Sequence, residues 1–231
     1  MSEAKKLDSA THQSEISQQQ FMIKFDDQLQ GIKHYQNHEQ MIPFIGSEYG
    51  SLGPRILLIA ESHYLRKNST IHLDDHRWYE STASQLLPHE YSATNTRKCL
   101  TKTSKHWKSK SYTIFRNLEN ALIEAGYPEL DNTLRHIAFM NGFQRPAVSR
   151  LSIQSTSLDK QISLCTLQSV IEIIQPEQII FVSRKAYIEL GKKLSSPCHA
   201  VPHPASAWWN RASKRGTGKS QFISLLERSG Q

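Results

Sequence analysis

Cysteine is scarce in this chain of 231 residues, and its placement excludes two kinds of stabilising framework. The three cysteines, Cys99, Cys165 and Cys198, are far apart and form no CxxC pair. An odd, widely spaced set provides neither a disulfide framework nor a cysteine-rich metal cluster. We therefore expect reduced thiols and no metal held by cysteine.

Long apolar runs are also missing. The longest, Ile56–Ala60 and Ile179–Val182, have the length of buried strands, whereas a helix that crosses a membrane needs roughly 20 apolar residues. Met1–Gln20 is almost entirely polar and lacks the basic and then apolar pattern of a signal peptide. These features predict a cytoplasmic protein that has no membrane partner.

Acidic residues are too few to balance the basic ones, and the excess of positive charge is uneven. Lys and Arg number 28 against 21 Asp and Glu, which gives a formal charge of +7. The stretch 97–116 holds seven basic residues and no acidic one, and a second cluster comprises Arg211, Lys214, Arg215 and Lys219. Such an excess attracts polyanions, of which nucleic acid is the commonest, although a solvated basic surface explains the charge equally well.

Apolar runs and helical spacings alternate along the chain. The runs that predict strands are 55–60, Leu134–Met140, Gln178–Val182 and Cys198–Val201. The spacings that predict helices are Tyr112–Ala125, Ile162–Ile174, Arg184–Leu194 and Ser220–Arg228. Strands that alternate with long helices favour a parallel sheet covered on both faces. The predicted fold class is therefore α/β, a three-layer α/β/α sandwich with a central four-stranded parallel sheet.

A polar composition separates the start of the chain from the rest. Residues 1–18 are rich in Ser and Gln and predict a flexible N-terminal arm. Residues 19–231 are long enough for one sizeable core, so we expect a single α/β domain there. The stretch 61–110 is polar and aromatic with few periodic signals, which indicates a long excursion with at most one short helix.

Polar and aromatic side chains follow three of the four predicted strands, where each strand ends. They are Glu61, Ser62, His63 and Tyr64 after the first strand, Asn141 and Arg145 after the second, and His203, Ser206, Trp208 and Trp209 after the fourth. The carboxyl ends of parallel strands meet at one edge of a sheet. We therefore expect these groups to share one functional site.

Three of these segments resemble motifs of the uracil-DNA glycosylase superfamily. Ala60-Glu61-Ser62-His63-Tyr64 is similar to a family motif of the form Gly-Gln-Asp-Pro-Tyr-His or Gly-Glu-Ala-Pro-Gly. Asn141 matches the family's Asn at the end of the second strand, and His203-Pro204-Ala205-Ser206 is similar to its His-Pro-Ser motif. The resemblance covers roughly residues 50–230 in order and spacing. It implies a uracil-DNA glycosylase-like fold and a monomeric DNA-repair enzyme, which excises uracil or a related deaminated base from single- or double-stranded DNA without a cofactor.

The resemblance also implies a role for each group. Glu61 or Ser62 would position the attacking water, and His203 would stabilise the negative charge on the leaving base. Asn141 would recognise the polar edge of uracil, because an amide offers both donors and an acceptor. The groups expected to complete the substrate pocket are His63, Tyr64 and Ser206. The residues expected to contact nucleic acid are Arg145, Trp208, Trp209, Arg211 and Lys214.

The first motif departs from the family at two positions, which leaves other functions open. Ser62 stands where several branches carry Asp or Asn, and His63 replaces Pro. One alternative is a non-catalytic nucleic-acid or nucleotide-binding module with the same fold. Another is a hydrolase that uses Glu61 and His203 on free nucleosides. Structural roles are also open for Asn141 as a turn former and for one of the two adjacent tryptophans as a core aromatic residue.

Overall fold

The computed structural model of the protein describes residues 19–101 and 107–228, and the arm expected at 1–18 lies outside the described residues. The strands are β1 (Phe44–Ile45), β2 (Ile56–Ala60), β3 (Tyr64–Leu65), β4 (Ala138–Asn141), β5 (Ala147–Val148), β6 (Gln178–Phe181) and β7 (His199–Ala200). The α-helices are α1 (Asp26–Gln30), α2 (Lys33–Asn37), α3 (Asp75–Glu80), α4 (Pro88–Thr94), α5 (Thr96–Leu100), α6 (Thr113–Glu124), α7 (Ser157–Ile174), α8 (Arg184–Glu189) and α9 (Gly218–Arg228).

Five strands form the main sheet, in the order β1-β4-β2-β6-β7. The four predicted strands are present as β2, β4, β6 and β7, and neighbouring members of this set run parallel. The prediction of a four-stranded, wholly parallel sheet is wrong at one edge, where β1 pairs antiparallel with β4. Two residues, Phe44 and Ile45, are too few to show the alternation by which a strand is detected in sequence. The broader α/β class is confirmed.

The central strand β2 is buried on both faces, as its unbroken apolar run predicts. Alternate residues of β2 face opposite sides of the sheet. Ile56 and Leu58 belong to an apolar cluster that includes residues of α6 and α9, and Leu57 and Ile59 belong to another that includes residues of α7. Helices therefore cover both faces of the sheet.

Two helix boundaries differ from the predicted ones for local reasons. α7 begins at Ser157 rather than Ile162, because the Thr156 and Asp159 side chains form a capping box there. α8 ends at Glu189 rather than at Leu194. The chain continues as a 3₁₀ turn that begins at Gly191. Gly191 packs closely against the Phe181 ring, since a Cβ at this position would lie 2.9 Å from it.

The regions around β4 and after β2 also differ from expectation. β4 begins at Ala138 rather than Leu134, because residues 133–136 form a 3₁₀ turn capped by the side chain of Asn132. The described part of the stretch 61–110 contains three helices, α3, α4 and α5, rather than one. Each has seven residues or fewer, too few to establish a helical period in sequence. Within residues 19–101 and 107–228, no helix combines the length and apolar character needed to cross a membrane.

The pairing of β1 depends on the absence of a side chain at Gly46. Its N–H donates to the carbonyl of Ile137 at 3.0 Å, and a Cβ on Gly46 would lie 2.0 Å from the carbonyl oxygen of Arg135. Gly46→Ala must therefore push the end of β1 away from the sheet. We expect it to lower the free energy of unfolding, measured in urea, by about 2 kcal/mol or more.

Gly53→Ala is the matched control for this substitution. The nearest atom to a Cβ on Gly53 would be the Tyr127 hydroxyl oxygen at 3.6 Å, which is an ordinary contact. We expect its free energy of unfolding to stay within about 0.5 kcal/mol of the unsubstituted protein. Equal losses in the two variants would show that close backbone packing at Gly46 does not stabilise the edge of the sheet.

Candidate functional site

The connections that follow β2 and β6 leave in opposite directions, the first to β4 and the second to β7. In open α/β sheets, ligands bind in the crevice at the carboxyl ends of two such strands. Glu61 directly follows β2, and Ser183 lies just beyond β6. The two meet across this crevice, where the Ser183 hydroxyl donates to Glu61 Oε2 at 3.1 Å.

The Glu61 carboxylate accepts hydrogen bonds from three groups. Besides Ser183, the Ser152 hydroxyl donates to Oε1 at 2.6 Å and the Ile153 N–H donates to the same oxygen at 3.2 Å. Glu61 thereby holds the loop after β5 against the ends of β2 and β6. A carboxylate has about four acceptor positions, so Glu61 retains room for one more donor, such as a water molecule.

Asn141 is the last residue of β4 and is buried. Backbone bonds hold the chain beyond it, because the Gly142 N–H donates to the carbonyl of Ala60 at 3.0 Å and the Phe143 N–H to that of Glu61 at 2.8 Å. The Asn141 backbone carbonyl accepts from the Gln144 side chain at 2.9 Å. Its own side-chain amide has no hydrogen bond to any described residue, so its donors and acceptor are available to a ligand.

His203 has a defined tautomer. The N–H of Ala205 donates to His203 Nδ1 at 3.1 Å, so Nδ1 carries no proton and Nε2 carries one when the ring is neutral. Burial lowers the pKa of His203, against a smaller opposing effect of the Glu61 carboxylate. At neutral pH the ring is therefore uncharged, and its Nε2–H is a hydrogen-bond donor without a partner among the described residues.

Two cavities meet at these groups. The first, here called the aromatic cavity, measures about 900 Å³, and its walls include Asn141, Tyr112, Phe115 and Phe139. The second, here called the basic cavity, measures about 680 Å³, and its walls include Arg184 and Lys185. The side chains that line both cavities are Glu61, Tyr64, Arg150 and His203. Both volumes are in the usual range of ligand sites, about 300 to 1,000 Å³.

The remaining residues of the first motif also line the aromatic cavity. His63 Nε2 and the Thr96 hydroxyl are 3.0 Å apart, and Thr96 donates its own proton to the carbonyl of Met41, so His63 is the donor of this bond. Burial lowers the pKa of His63 to about 4, which keeps it neutral. The Ser62 hydroxyl is buried and has no partner among the described residues. His63 is thus committed to the fold, whereas Ser62 is available.

Two of the residues predicted to contact nucleic acid, Arg145 and Trp209, are buried. Arg145 is buried and pairs with both oxygens of Asp159, at 2.8 and 2.6 Å, and also donates to the carbonyls of His72 and Gln154. Four of the five N–H groups of this guanidinium are thus used within the protein. Trp209 is 1% exposed and packs against Phe222 in the core, as one of the two tryptophans was expected to do.

The other expected contact residues lie around the basic cavity. Trp208 is 52% exposed and lines this cavity, with the Arg211 guanidinium 5.4 Å from its ring centre. Ser206 also lines it, and its buried hydroxyl has no partner among the described residues. Lys214 is exposed at the tip of a tight turn over residues 213–216.

The structure adds four residues that the sequence did not indicate. They are Ser152 and Ser183, which bind the Glu61 carboxylate, and Arg150 and Arg184, which line the basic cavity. Ser183 lies at a strand end, so the argument applied to the other three strands could have found it. Arg150 and Ser152 follow β5, a strand of two residues that leaves no periodic signal.

The buried pair of Arg145 and Asp159 is expected to dominate the stability of the walls of this site. Asp159 is fully buried, and its removal leaves a buried positive charge without a partner. We expect Asp159→Asn to lower the free energy of unfolding by about 3 to 5 kcal/mol, measured in urea at pH 7.

Glu124→Gln is the control, since it breaks the exposed pair with Lys219, whose atoms are 2.7 Å apart. An exposed pair contributes about 0 to 1 kcal/mol. If Asp159→Asn proved no more destabilising than Glu124→Gln, the buried pair could not be what holds the loop after β4.

The sequence matches no protein-family model and no curated protein. Within the described part of the chain, no group of three or more His, Cys, Asp and Glu residues is placed to hold a metal ion.

Proposed function

We propose that this protein is a uracil-DNA glycosylase-like hydrolase, which cleaves the bond between deoxyribose and uracil or a related deaminated base. The observation that carries the proposal is His203, which is half-buried, neutral and presents an unpartnered Nε2–H where Glu61 and Asn141 also lie. These groups match the chemistry of the reaction: one donor for the leaving base, one amide for its polar edge and one carboxylate near the sugar.

The aromatic cavity suits a flat heterocycle. Phe115 and Phe139 form part of its wall and pack edge to face, with ring centres 5.5 Å apart. An aromatic wall of this kind suits a planar, partly apolar ligand. The unpartnered Asn141 amide offers two donors and one acceptor, enough to pair with the O4 and N3–H edge of uracil. A base inside a duplex is unreachable, so the substrate nucleotide would be flipped out or single-stranded.

In the proposed reaction the bond between C1′ and the base nitrogen breaks, and its electron pair leaves with the base. The oxygen of water bonds to C1′, and the proton that water loses is transferred to the base. Negative charge on the departing base develops mainly on its oxygen atoms, where a preorganised N–H donor is most effective. The Nε2–H of His203 has that role here.

Glu61 would act near the sugar. Its carboxylate has one acceptor position left after the bonds to Ser152, Ile153 and Ser183, and a water molecule there would be oriented toward C1′. A fixed negative charge also stabilises the positive charge that develops on the sugar. The unpartnered hydroxyl of Ser62 is available to hold the same water.

A second candidate, a non-catalytic nucleic-acid-binding module, is favoured by the same contacts of Glu61. Three protein groups already donate to the Glu61 carboxylate, and these bonds hold the loop after β5 in place. Glu61 has this structural role even if it orients no water. Ser62 also lacks the carboxylate that several branches of the resembling family carry as Asp at that position. The two candidates differ in one measurable property, which is release of a base.

The first test is base release from a labelled single-stranded oligonucleotide that contains one uracil, followed by alkaline cleavage of the strand. We expect His203→Ala to reduce the rate by about 10² to 10³, since it removes the donor to the leaving oxygen. Asn141→Ala should reduce it by about tenfold or more, since it removes hydrogen bonds to the base.

His199→Ala is the matched control, because His199 is exposed on β7 and lines neither of these two cavities. It should release uracil at the unsubstituted rate. Binding of the oligonucleotide with no release of uracil, hypoxanthine or xanthine would contradict the glycosylase and support the binding module.

The rate should also depend on pH through His203. The active ring is neutral, and burial lowers its pKa below the ordinary value of about 6.5. The rate should therefore stay constant as the pH falls from 8 to about 6.5, and decline only below that, as the ring gains a proton.

His203→Gln separates this effect from other titrations, because its amide also donates a hydrogen bond but does not titrate in this range. We expect its slower reaction to lack the decline at acid pH. The same decline in His203→Gln would assign it to another group.

A further inference from the structure

The side-chain amide of Asn141 makes no hydrogen bond to any described residue, so its direction depends on the backbone at the end of β4. We propose that the side chain of Gln144 positions Asn141 for contact with the base, and that Trp78 and Ser163 hold Gln144 in turn. This inference rests on the proposed function. It adds three positioning residues, none of which lines the aromatic or the basic cavity.

The Gln144 amide binds the carbonyl groups at the end of β4. Gln144 is 2% exposed, and its Nε2 donates to the Asn141 carbonyl at 2.9 Å and to the Gly142 carbonyl at 3.3 Å. The N–H of the Asn141–Gly142 peptide bonds to Ala60 on β2, so the carbonyl of the same trans peptide points to the opposite edge of β4. At that edge β1 pairs no farther along β4 than Phe139. The Gln144 amide thus supplies the hydrogen bond that a neighbouring strand would otherwise give.

Two buried side chains from different helices hold Gln144 itself. The Trp78 indole N–H, on α3, donates to the Gln144 carbonyl at 3.0 Å, and the Ser163 hydroxyl, on α7, accepts from the Gln144 N–H at 3.2 Å. Trp78 is fixed by His38, whose ring stacks on the indole with centres 4.4 Å apart and whose Nε2 lies 3.2 Å from the Trp78 carbonyl oxygen. Gln144 therefore has a fixed place from which its amide reaches back to β4.

Removal of the Gln144 amide would free the end of β4 to shift. The carbonyls of Asn141 and Gly142 belong to buried residues and would lose this donor. The Asn141 side chain, which has no hydrogen bond of its own within the described chain, would move with the backbone. A displacement of about 1 Å in a group that contacts the substrate can slow a reaction by about 10².

The experiment compares Gln144→Met with Gln178→Met, because methionine has a similar size and no hydrogen-bond donor. Gln178 is the matched control: it is also buried, and its Nε2 donates to the Leu225 carbonyl at 2.9 Å. It lies at the start of β6 and lines neither of the two cavities. We expect Gln144→Met to slow uracil release from the single-stranded oligonucleotide by about 10 to 10². Gln178→Met should keep the unsubstituted rate, although both variants should have a lower melting temperature.

A double-mutant cycle with Asn141→Ala separates positioning from general destabilisation. A residue that acts through the Asn141 amide has no further effect once that amide is gone, so Gln144→Met should leave the rate of Asn141→Ala unchanged. Slowing by the full factor in the Asn141→Ala background would overturn the inference, and so would equal slowing in Gln178→Met. If Gln144→Met does not fold, Ser163→Ala takes its place in the same cycle with the same two outcomes, since it removes only the acceptor of the Gln144 N–H.

The side-chain amide signal of Asn141 tests the inference apart from catalysis. This signal is identified in a ¹H–¹⁵N NMR spectrum by its loss in Asn141→Ala, and it should be displaced in Gln144→Met and unchanged in Gln178→Met. If uracil is released but the signal is the same in both methionine variants, the inference fails and the glycosylase stands. If the unsubstituted protein releases no base, the glycosylase fails. The signal then decides, because displacement in Gln144→Met alone supports Gln144 as the positioning residue of the pocket and an unchanged signal overturns it.

Discussion

The buried ion pair of Arg145 and Asp159 is the interaction on which the arrangement of the site depends. Arg145 bonds to Asp159 at the start of α7 and to the carbonyls of His72 and Gln154, so it fixes three stretches of chain relative to the end of β4. Separating them would leave charges buried without partners, at a cost of several kcal/mol. The loop that carries Arg150 and Ser152 lies between Arg145 and Gln154, and both of its ends are therefore held.

Around this anchor the polar groups divide into two kinds. The polar groups of Arg145, Asp159 and Glu61 are engaged by protein partners, and His63 is held by Thr96. In contrast, the hydroxyls of Ser62 and Ser206 are buried and have no partner among the described residues. Unpartnered buried polar groups are costly in a folded protein. Ser62 lines the aromatic cavity and Ser206 lines the basic cavity.

The sequence was most informative where its signal was long or repeated. The run Ile56–Ala60 predicted a strand buried on both faces, and the rule that parallel strands meet at their carboxyl ends brought Glu61, Asn141 and His203 into one site. It failed for β1 and for the short helices α3, α4 and α5, which are too short to show a period. It also gave no sign that Arg145 is buried, because its partner Asp159 is brought near by tertiary packing, which local sequence does not encode.

The division of the site between strand ends and loops has a consequence for how such a protein diversifies. Asn141 terminates β4, Glu61 directly follows β2, and both are held in a central sheet that tolerates little change. Arg150, Lys214 and Arg215 belong to surface loops. Loop substitutions can therefore accumulate and alter what binds beside the cavities, while the groups at the strand ends keep their positions. Selection and laboratory evolution would act on these two properties separately.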